Sequence, residues 1–275
     1  MVIVGQTGRE VDYGQYTGAV FTKDGINTKN YLIKPGDEAL CVMSEDRHTI
    51  GSMHYGMVPF WSNTERCFAE APIEGNRIPQ PHVPLKKRLI HDPAFRKAIR
   101  RYRLIVPVNY FILCENQQAY LFFHHEFSLF SLAGLYDYPL SLSRIETVKP
   151  GFALLTWPAY GIFKSVGFSR VPFVLPVNRH KTWIRDGISL FEVTRMMVPY
   201  DDASINACAL DAIKVMAGEN SRESIRPAGK RLKPDHACEH PQAVRSSLRE
   251  YRRQRHEIKK SKAGENTSLW RNTGQ

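Results

Sequence analysis

The cysteines and histidines are the most reactive side chains of this sequence, but their spacing matches no common catalytic or metal-binding motif. Five cysteines are spread along the chain, at positions 41, 67, 114, 208 and 238. No CxxC pair occurs, and neither His124 nor any other histidine has partners at the spacing of a zinc site. The GxSxG, P-loop, HExxH and GxGxxG patterns are missing as well. We therefore expect no metal ion, no cofactor, and free thiols in a reducing compartment.

Positive charge is the second chemical feature of the sequence. The 38 lysines and arginines exceed the 27 aspartates and glutamates, which gives a net charge of +11. An excess of this size favours a polyanionic partner, usually a nucleic acid. Residues 219–275 alone hold 14 basic and 7 acidic residues, a net charge of +7. A basic tail on a nearly neutral domain explains the same composition, so both interpretations stay open.

Length and composition indicate a soluble protein with a sizeable core. The chain has 275 residues, of which 43% are hydrophobic and 11% aromatic. No run approaches the roughly 20 apolar residues of a membrane span. The first ten residues, MVIVGQTGRE, lack the basic and apolar regions of a signal peptide. We expect a cytoplasmic monomer without membrane contact, associated with the nucleoid if it binds DNA.

Short strands dominate the secondary structure that the sequence predicts. The clearest candidates are residues 31–33, 40–43, 103–108, 119–123, 129–135, 152–156 and 173–175. Residues 62–88 read as a long loop, after which Asp92 as N-cap and Pro93 at the first helical position predict a helix. Strands outnumber helices and do not alternate regularly with them, which favours a compact, β-rich α+β domain.

The composition changes after about residue 226. Few large apolar residues remain beyond that point, and charged residues dominate. We therefore predict one domain over residues 1–226 and a basic tail, disordered or partly helical, over residues 227–275.

The order of several short blocks carries more information than any single motif. The blocks are residues 31–36 (YLIKPG), 55–61 (YGMVPFW), 75–77 (GNR), 93–96 (PAFR), 103–107 (RLIVP), 132–137 (LAGLYD), 153–156 (ALLT), 170–176 (RVPFVLP) and then Trp183. This succession resembles the SOS response-associated peptidase (SRAP) family. The motifs of that family run YNIAP, WGLVPxW, NARxE, PxFRxxxRxxRCLIPxxGFYEW, AGLW, ILTTxAN and HxRMPVIL, followed by a tryptophan.

The resemblance implies a fold and a chemistry. Family members have a compact β-rich domain with a basic groove, and they bind single-stranded DNA. A cysteine made N-terminal by removal of the first methionine closes a thiazolidine with the aldehyde of an abasic site. A glutamate and a histidine supply acid–base and orienting chemistry. An asparagine and an arginine hold the nucleotide and its phosphate.

This sequence departs from the family pattern at each catalytic position. Val2 stands where the family has cysteine, Leu113 replaces the glutamate of GFYEW, and Phe168 replaces the histidine of HxRMP. An alternative alignment places Thr7 at the cysteine position. We predict that no catalytic residue is intact, because none of these side chains can attack an aldehyde or transfer a proton.

Five residues are the candidates for retained nucleic-acid binding. Arg77 matches the arginine of the NAR block, whose asparagine is shifted by one to Asn76 or lost, and Arg170 matches HxRMP; surface salt bridges are the alternative role for the arginines. Phe60 and Trp61 match WGLVPxW and can stack on bases, with a place in the core as the alternative. Two basic groups can extend a phosphate track, namely residues 86–88 (KKR) and the residues Arg96, Lys97, Arg100 and Arg101.

These observations lead to three hypotheses about function. The first is a member of this family with a degenerate catalytic site that binds single-stranded or abasic-site DNA non-covalently. The second is an enzyme that crosslinks to abasic-site DNA or processes itself by a non-standard route, through the Val2 amine or through Cys114, whose alternative role is a small buried hydrophobe. The third is a protein-interaction module on the same fold.

Overall fold

The computed structural model describes residues 1–22, 29–62, 67–74, 89–139, 150–199 and 204–233. Most of the ordered elements are strands, and fifteen are assigned within these ranges: β1 Val2–Gln6, β2 Val20–Phe21, β3 Asn30–Ile33, β4 Glu38–Met43, β5 Thr49–Tyr55, β6 Glu70–Pro72, β7 Arg103–Val108, β8 Tyr110–Glu115, β9 Gln118–Phe123, β10 Phe130–Asp137, β11 Gly151–Pro158, β12 Arg170–Pro172, β13 Val174–Leu175, β14 Asn206–Leu210 and β15 Pro227–Leu232.

The helices are short and lie between these strands. They are α1 Glu10–Thr17, α2 Ala98–Arg101, α3 Gly161–Ser165, α4 His180–Trp183, α5 Leu190–Met196 and α6 Ala212–Ala217. This β-rich α+β architecture confirms the fold class that the sequence predicts.

The first sheet has six antiparallel strands in the order β15-β14-β9-β8-β1-β3. Its strand β1 is buried on both faces, because Val2 and Val4 point into one apolar cluster and Ile3 points into another. Such a fully apolar run is typical of a strand covered on both sides. Strand β1 is therefore held in the interior of the fold, whereas Met1, directly before it, is 42% exposed.

The second sheet has nine strands, and its main path runs β12-β11-β10-β7-β4-β5-β2. An additional parallel pairing of β11 with β5 closes β5, β4, β7, β10 and β11 into a ring. Gly151 lies at this closure, where a Cβ atom would be 2.0 Å from the carbonyl oxygen of Gly56. The ring can close there because glycine has no side chain.

The core lies in three layers of apolar side chains. The middle layer joins the two sheets and contains Val2 and Phe111 from the first and Val106 and Leu154 from the second. One outer layer packs the second sheet against the helices around Phe95, and the other covers the first sheet.

The helix expected to begin at Asp92 is shorter than the sequence indicates. Oδ1 of Asp92 accepts a hydrogen bond from the Ala94 N–H at 2.9 Å, as an N-cap does. Residues 93–97 form turns, and the helix itself spans Ala98–Arg101. The carbonyls of Ile99 and Arg100, near its end, accept hydrogen bonds from the buried guanidinium of Arg103.

The first compact unit of the chain comprises Met1–Pro234. Residues 227–232, which the composition places at the start of the tail, form the edge strand β15 and pair with β14.

Candidate nucleic-acid interface

The three positions that the sequence marks as catalytic lie in one apolar cluster. The antiparallel register of β1 and β8 places Val2 opposite Leu113, and Phe168 packs into the same cluster. All three are buried, with 3%, 3% and 5% of their surface exposed. The Phe168 ring makes edge contacts with Tyr120 and Phe122 at centroid distances of 5.8 and 6.0 Å. The fold thus brings these three positions into one cluster, where their apolar side chains are part of the packed core and offer no reactive group.

Thr7 lies at the other end of β1. Its backbone N–H donates to Oδ1 of Asn109 at 2.8 Å. Five residues of extended strand separate it from Val2, which corresponds to a distance of about 17 Å. Val2, and not Thr7, is paired with Leu113, and the alternative alignment at Thr7 stays open.

The N-terminal amine lies directly before Val2 in the chain. The amine of Met1 donates to the carbonyl oxygen of Cys114 at 2.9 Å and lies 4.0 Å from Oε1 of Glu70. Next to it, the hydroxyl of Tyr55 donates to the carbonyl oxygen of Val2 at 3.2 Å. An amine can form a reversible Schiff base with an aldehyde. Neither Met1 nor Val2 has a thiol that could close a thiazolidine.

The two polar side chains after Leu113 are poorly placed for catalysis. Cys114 is half-buried, and burial raises the pKa of its thiol, so the reactive thiolate is disfavoured. The carboxylate of Glu115 accepts hydrogen bonds from the backbone N–H and the hydroxyl of Ser169, at 3.0 and 2.7 Å. These bonds lower the pKa of Glu115, which therefore holds no proton to donate at neutral pH.

Arg170 is already paired within the chain. Its guanidinium forms a two-pronged ion pair with the carboxylate of Glu74 and also donates to Oγ1 of Thr156 at 3.1 and 3.2 Å. This is the salt-bridge alternative that the sequence left open for Arg170. Asn76 and Arg77, the other polar candidates, lie outside the described residues.

Trp61 and Phe60 lie at the surface and are held there by hydrogen bonds. Half of Trp61 is exposed, and its indole N–H donates to the carbonyl oxygen of Pro93 at 2.9 Å. The Phe60 N–H donates to Oδ2 of Asp137 at 2.9 Å. Nζ of Lys97 lies 4.2 Å from the centre of the Phe60 ring. We call Phe60, Trp61 and Lys97 the aromatic platform; it combines a stacking surface with a cation.

Comparison with known proteins assigns the chain to a family. The model of the SOS response associated peptidase (SRAP) family matches residues 8–215. The chain belongs to the SRAP family. No curated protein matches it. The order of short blocks in the sequence therefore identified the family correctly.

Solved structures agree on the SRAP fold. A crystal structure of a protein from Bacteroides thetaiotaomicron is similar with a TM-score of 0.67 and 16% identity, over 82% of this chain and 99% of that chain. A phage-related protein from Bordetella bronchiseptica gives a TM-score of 0.58 at 16% identity, over 86% of this chain and 100% of that chain. At such low identity, these similarities establish the fold alone.

One contact of this surface could not be predicted from the sequence. The ion pair between Lys97 Nζ and Asp137 Oδ1, at 2.9 Å, joins residues forty positions apart. The remaining basic residues around α2, Arg96, Arg100 and Arg101, are exposed. Residues 86–88 lie outside the described ranges.

In the described part of the chain, no three His, Cys, Asp or Glu side chains are grouped so that they could hold a metal ion. No helix described there is long and apolar enough to cross a membrane.

Proposed function

We propose that this SRAP protein binds single-stranded DNA, including DNA with abasic sites, without forming a stable covalent link to it. The observation that carries the proposal is the packing of Val2, Leu113 and Phe168 into one apolar cluster. Buried apolar side chains need no polar partner. A return to the family's chemistry would place a thiol, a carboxyl and an imidazole in this cluster, so more than one substitution separates this site from an active one.

The aromatic platform supports the binding part of the proposal. Trp61 is half-exposed and held by its bond to Pro93, so stacking on a base costs little side-chain entropy. The exposed Arg96, Arg100 and Arg101 supply positive charge on the adjoining segment for the phosphates of the same strand, whereas Lys97 would have to exchange the carboxylate of Asp137 for a phosphate. Stacking combined with phosphate contacts is the usual way in which proteins bind single strands without reading their sequence.

Arg77 and Arg170 remain proposed phosphate contacts. Arg170 would have to exchange the carboxylate of Glu74 for a phosphate, so we expect it to contribute less than an unpaired arginine.

Titration of a labelled single-stranded oligonucleotide at several salt concentrations tests this function. We expect the logarithm of affinity to fall linearly with the logarithm of salt, because bound phosphates release counterions. Trp61→Ala should weaken binding by about 1–3 kcal/mol, the usual range for one stacked base. Phe191→Ala is the matched control, since Phe191 is a 68% exposed aromatic on α5. A flat salt dependence, or equal affinity of the Trp61 variant and the parent, would favour the interaction-module hypothesis.

One observation favours a second candidate function. The amine of Met1 lies 4.0 Å from Glu70, a carboxylate that could assist the loss of water when the amine and an abasic-site aldehyde form an imine. Borohydride trapping distinguishes the two functions. A species trapped only with borohydride would indicate a reversible imine, whereas a heat-stable adduct formed without reductant would indicate an active enzyme.

A further inference from the structure

An exposed tyrosine, Tyr138, lies next to the aromatic platform and belongs to no motif singled out in the sequence. Tyr138 follows directly after β10, and 40% of its surface is exposed. We propose that Tyr138 is a second base-stacking residue beside Trp61, and that Asp137 is the positioning residue that holds both. This inference rests on the proposed function, because it names a further part of the same binding surface.

Asp137 connects the three segments that form the surface. Its carboxylate is only 1% exposed and accepts three hydrogen bonds. Oδ2 accepts the Phe60 N–H at 2.9 Å, and Oδ1 accepts Nζ of Lys97 at 2.9 Å and the Tyr138 N–H at 3.0 Å. One buried carboxylate thus fixes the loop that carries Trp61, the cation of the platform and the backbone of Tyr138.

The ring of Tyr138 is held in place before any ligand arrives. Its hydroxyl donates to Oε2 of Glu45 at 2.7 Å. The ring is nearly perpendicular to the rings of Tyr102 and Tyr136, with centroid distances of 5.6 and 5.8 Å. A rigid, partly exposed aromatic loses little conformational entropy when a flat ligand stacks on it.

The charges around the surface indicate how a strand would lie. Nζ of Lys97 lies 4.2 Å from the Phe60 ring and 4.9 Å from the Tyr102 ring, so the cation sits between the two aromatic groups. Glu45, on the Tyr138 side, is exposed and would repel a phosphate. We therefore expect the phosphates to follow the exposed arginines around α2, with bases on Trp61 and Tyr138. Burial and Glu45 raise the pKa of Tyr138, so its phenol stays neutral near the strand.

Anisotropy titrations of the full chain with labelled oligo-dT test the stacking role. Tyr138→Ala should weaken binding about 5- to 100-fold, as expected for one lost base stack. Tyr138→Phe keeps the ring and should bind within about twofold of the parent. The slope of affinity against salt should be the same in all these proteins, because Tyr138 neutralises no phosphate. Phe191→Ala again controls for the loss of an exposed aromatic.

Asp137→Asn tests the positioning role in the same assay. It removes the charge that holds Lys97, and it should weaken binding in the parent but add little to the Trp61→Ala/Tyr138→Ala double variant, because the two rings that Asp137 positions are then absent. Additive losses, or a loss fully explained by a lower unfolding midpoint, would overturn the role of Asp137. Parent-like affinity of Tyr138→Ala while Trp61→Ala is impaired would overturn the stacking role and leave the proposed function intact. Salt-independent binding by the parent would overturn the proposed function itself.

Discussion

Val2, Leu113 and Phe168 are the residues that the sequence blocks align with the reactive groups of the SRAP pattern. All three are buried in one apolar cluster. The loss of chemistry at these positions remains a prediction from the sequence, because it rests on how the blocks around Leu113 and Phe168 are aligned with the SRAP motifs. The pairing of Val2 with Leu113 could not be predicted from the sequence, since it depends on the register of two strands more than a hundred residues apart.

Restoring the cysteine alone should not restore efficient crosslinking. Val2→Cys supplies the thiol and, after removal of Met1, the amine of a thiazolidine, but Leu113 and Phe168 still offer no proton transfer. We expect the triple variant Val2→Cys/Leu113→Glu/Phe168→His to link to an abasic oligonucleotide about 10²–10⁴ times faster than Val2→Cys, the usual effect of general acid–base catalysis. Denaturing gels over time measure the two rates.

Val2→Ser is the control for this comparison, because its hydroxyl replaces the thiol at similar size. Thermal melts of each variant establish that it is folded before its rate is compared. Equal rates for the single and the triple variant would mean that another group, such as Glu70, already supplies the proton transfer.

At the scale of elements, the pairing of β1 with β8 places Val2 opposite Leu113. Gly5 lies opposite Tyr110, and a Cβ atom on Gly5 would be 2.0 Å from the tyrosine ring. That ring is 1% exposed, and its hydroxyl donates to the carbonyl oxygen of Tyr31 at 2.9 Å. The ring therefore fills the space that any larger residue at position 5 would need.

Gly5→Ala should destabilise the protein by about 1–3 kcal/mol, the usual cost of overpacking a core. Urea denaturation measures the change. Gly51→Ala is the matched control, because Gly51 also lies in a strand, β5, yet no atom comes within 4 Å of its Cβ position. It should change stability by no more than about 0.5 kcal/mol. A Gly5 variant as stable as the Gly51 variant would contradict the packing of Tyr110 against β1.

Predicting elements from sequence succeeded where apolar runs were long and failed where local patterns were weak. Residues 40–43 are a continuous apolar run, residues 103–108 are apolar after Arg103, and both segments form strands as expected. Helix α1 was missed, because Tyr13 is its single buried residue and no apolar stripe repeats along it. The helix expected to begin at Asp92 begins only at Ala98. Cap residues indicate where a helix can begin, but not whether the chain becomes helical there.

For the whole molecule, the order of sequence blocks sufficed to identify the SRAP family, but not to assemble the binding surface. Phe60 and Trp61 were predicted as candidates, whereas Tyr138 and Asp137 were not. The carboxylate of Asp137 receives hydrogen bonds from segments 77 and 40 residues away in sequence. Such contacts arise from the fold and leave no local pattern. Of the basic tail predicted over residues 227–275, residues 227–232 form strand β15, and the part after residue 233 lies outside the described residues and remains a prediction.

Two-dimensional electrophoresis with a labelled, abasic single-stranded oligonucleotide tests the central claim most directly. The complex is separated first in a native gel and then, in the perpendicular direction, in a denaturing gel without reductant. Binding without a stable covalent link predicts a shifted band in the first dimension that releases free oligonucleotide in the second. Oligonucleotide retained with the protein under denaturing conditions would contradict the degenerate site, and the absence of any native shift would contradict DNA binding.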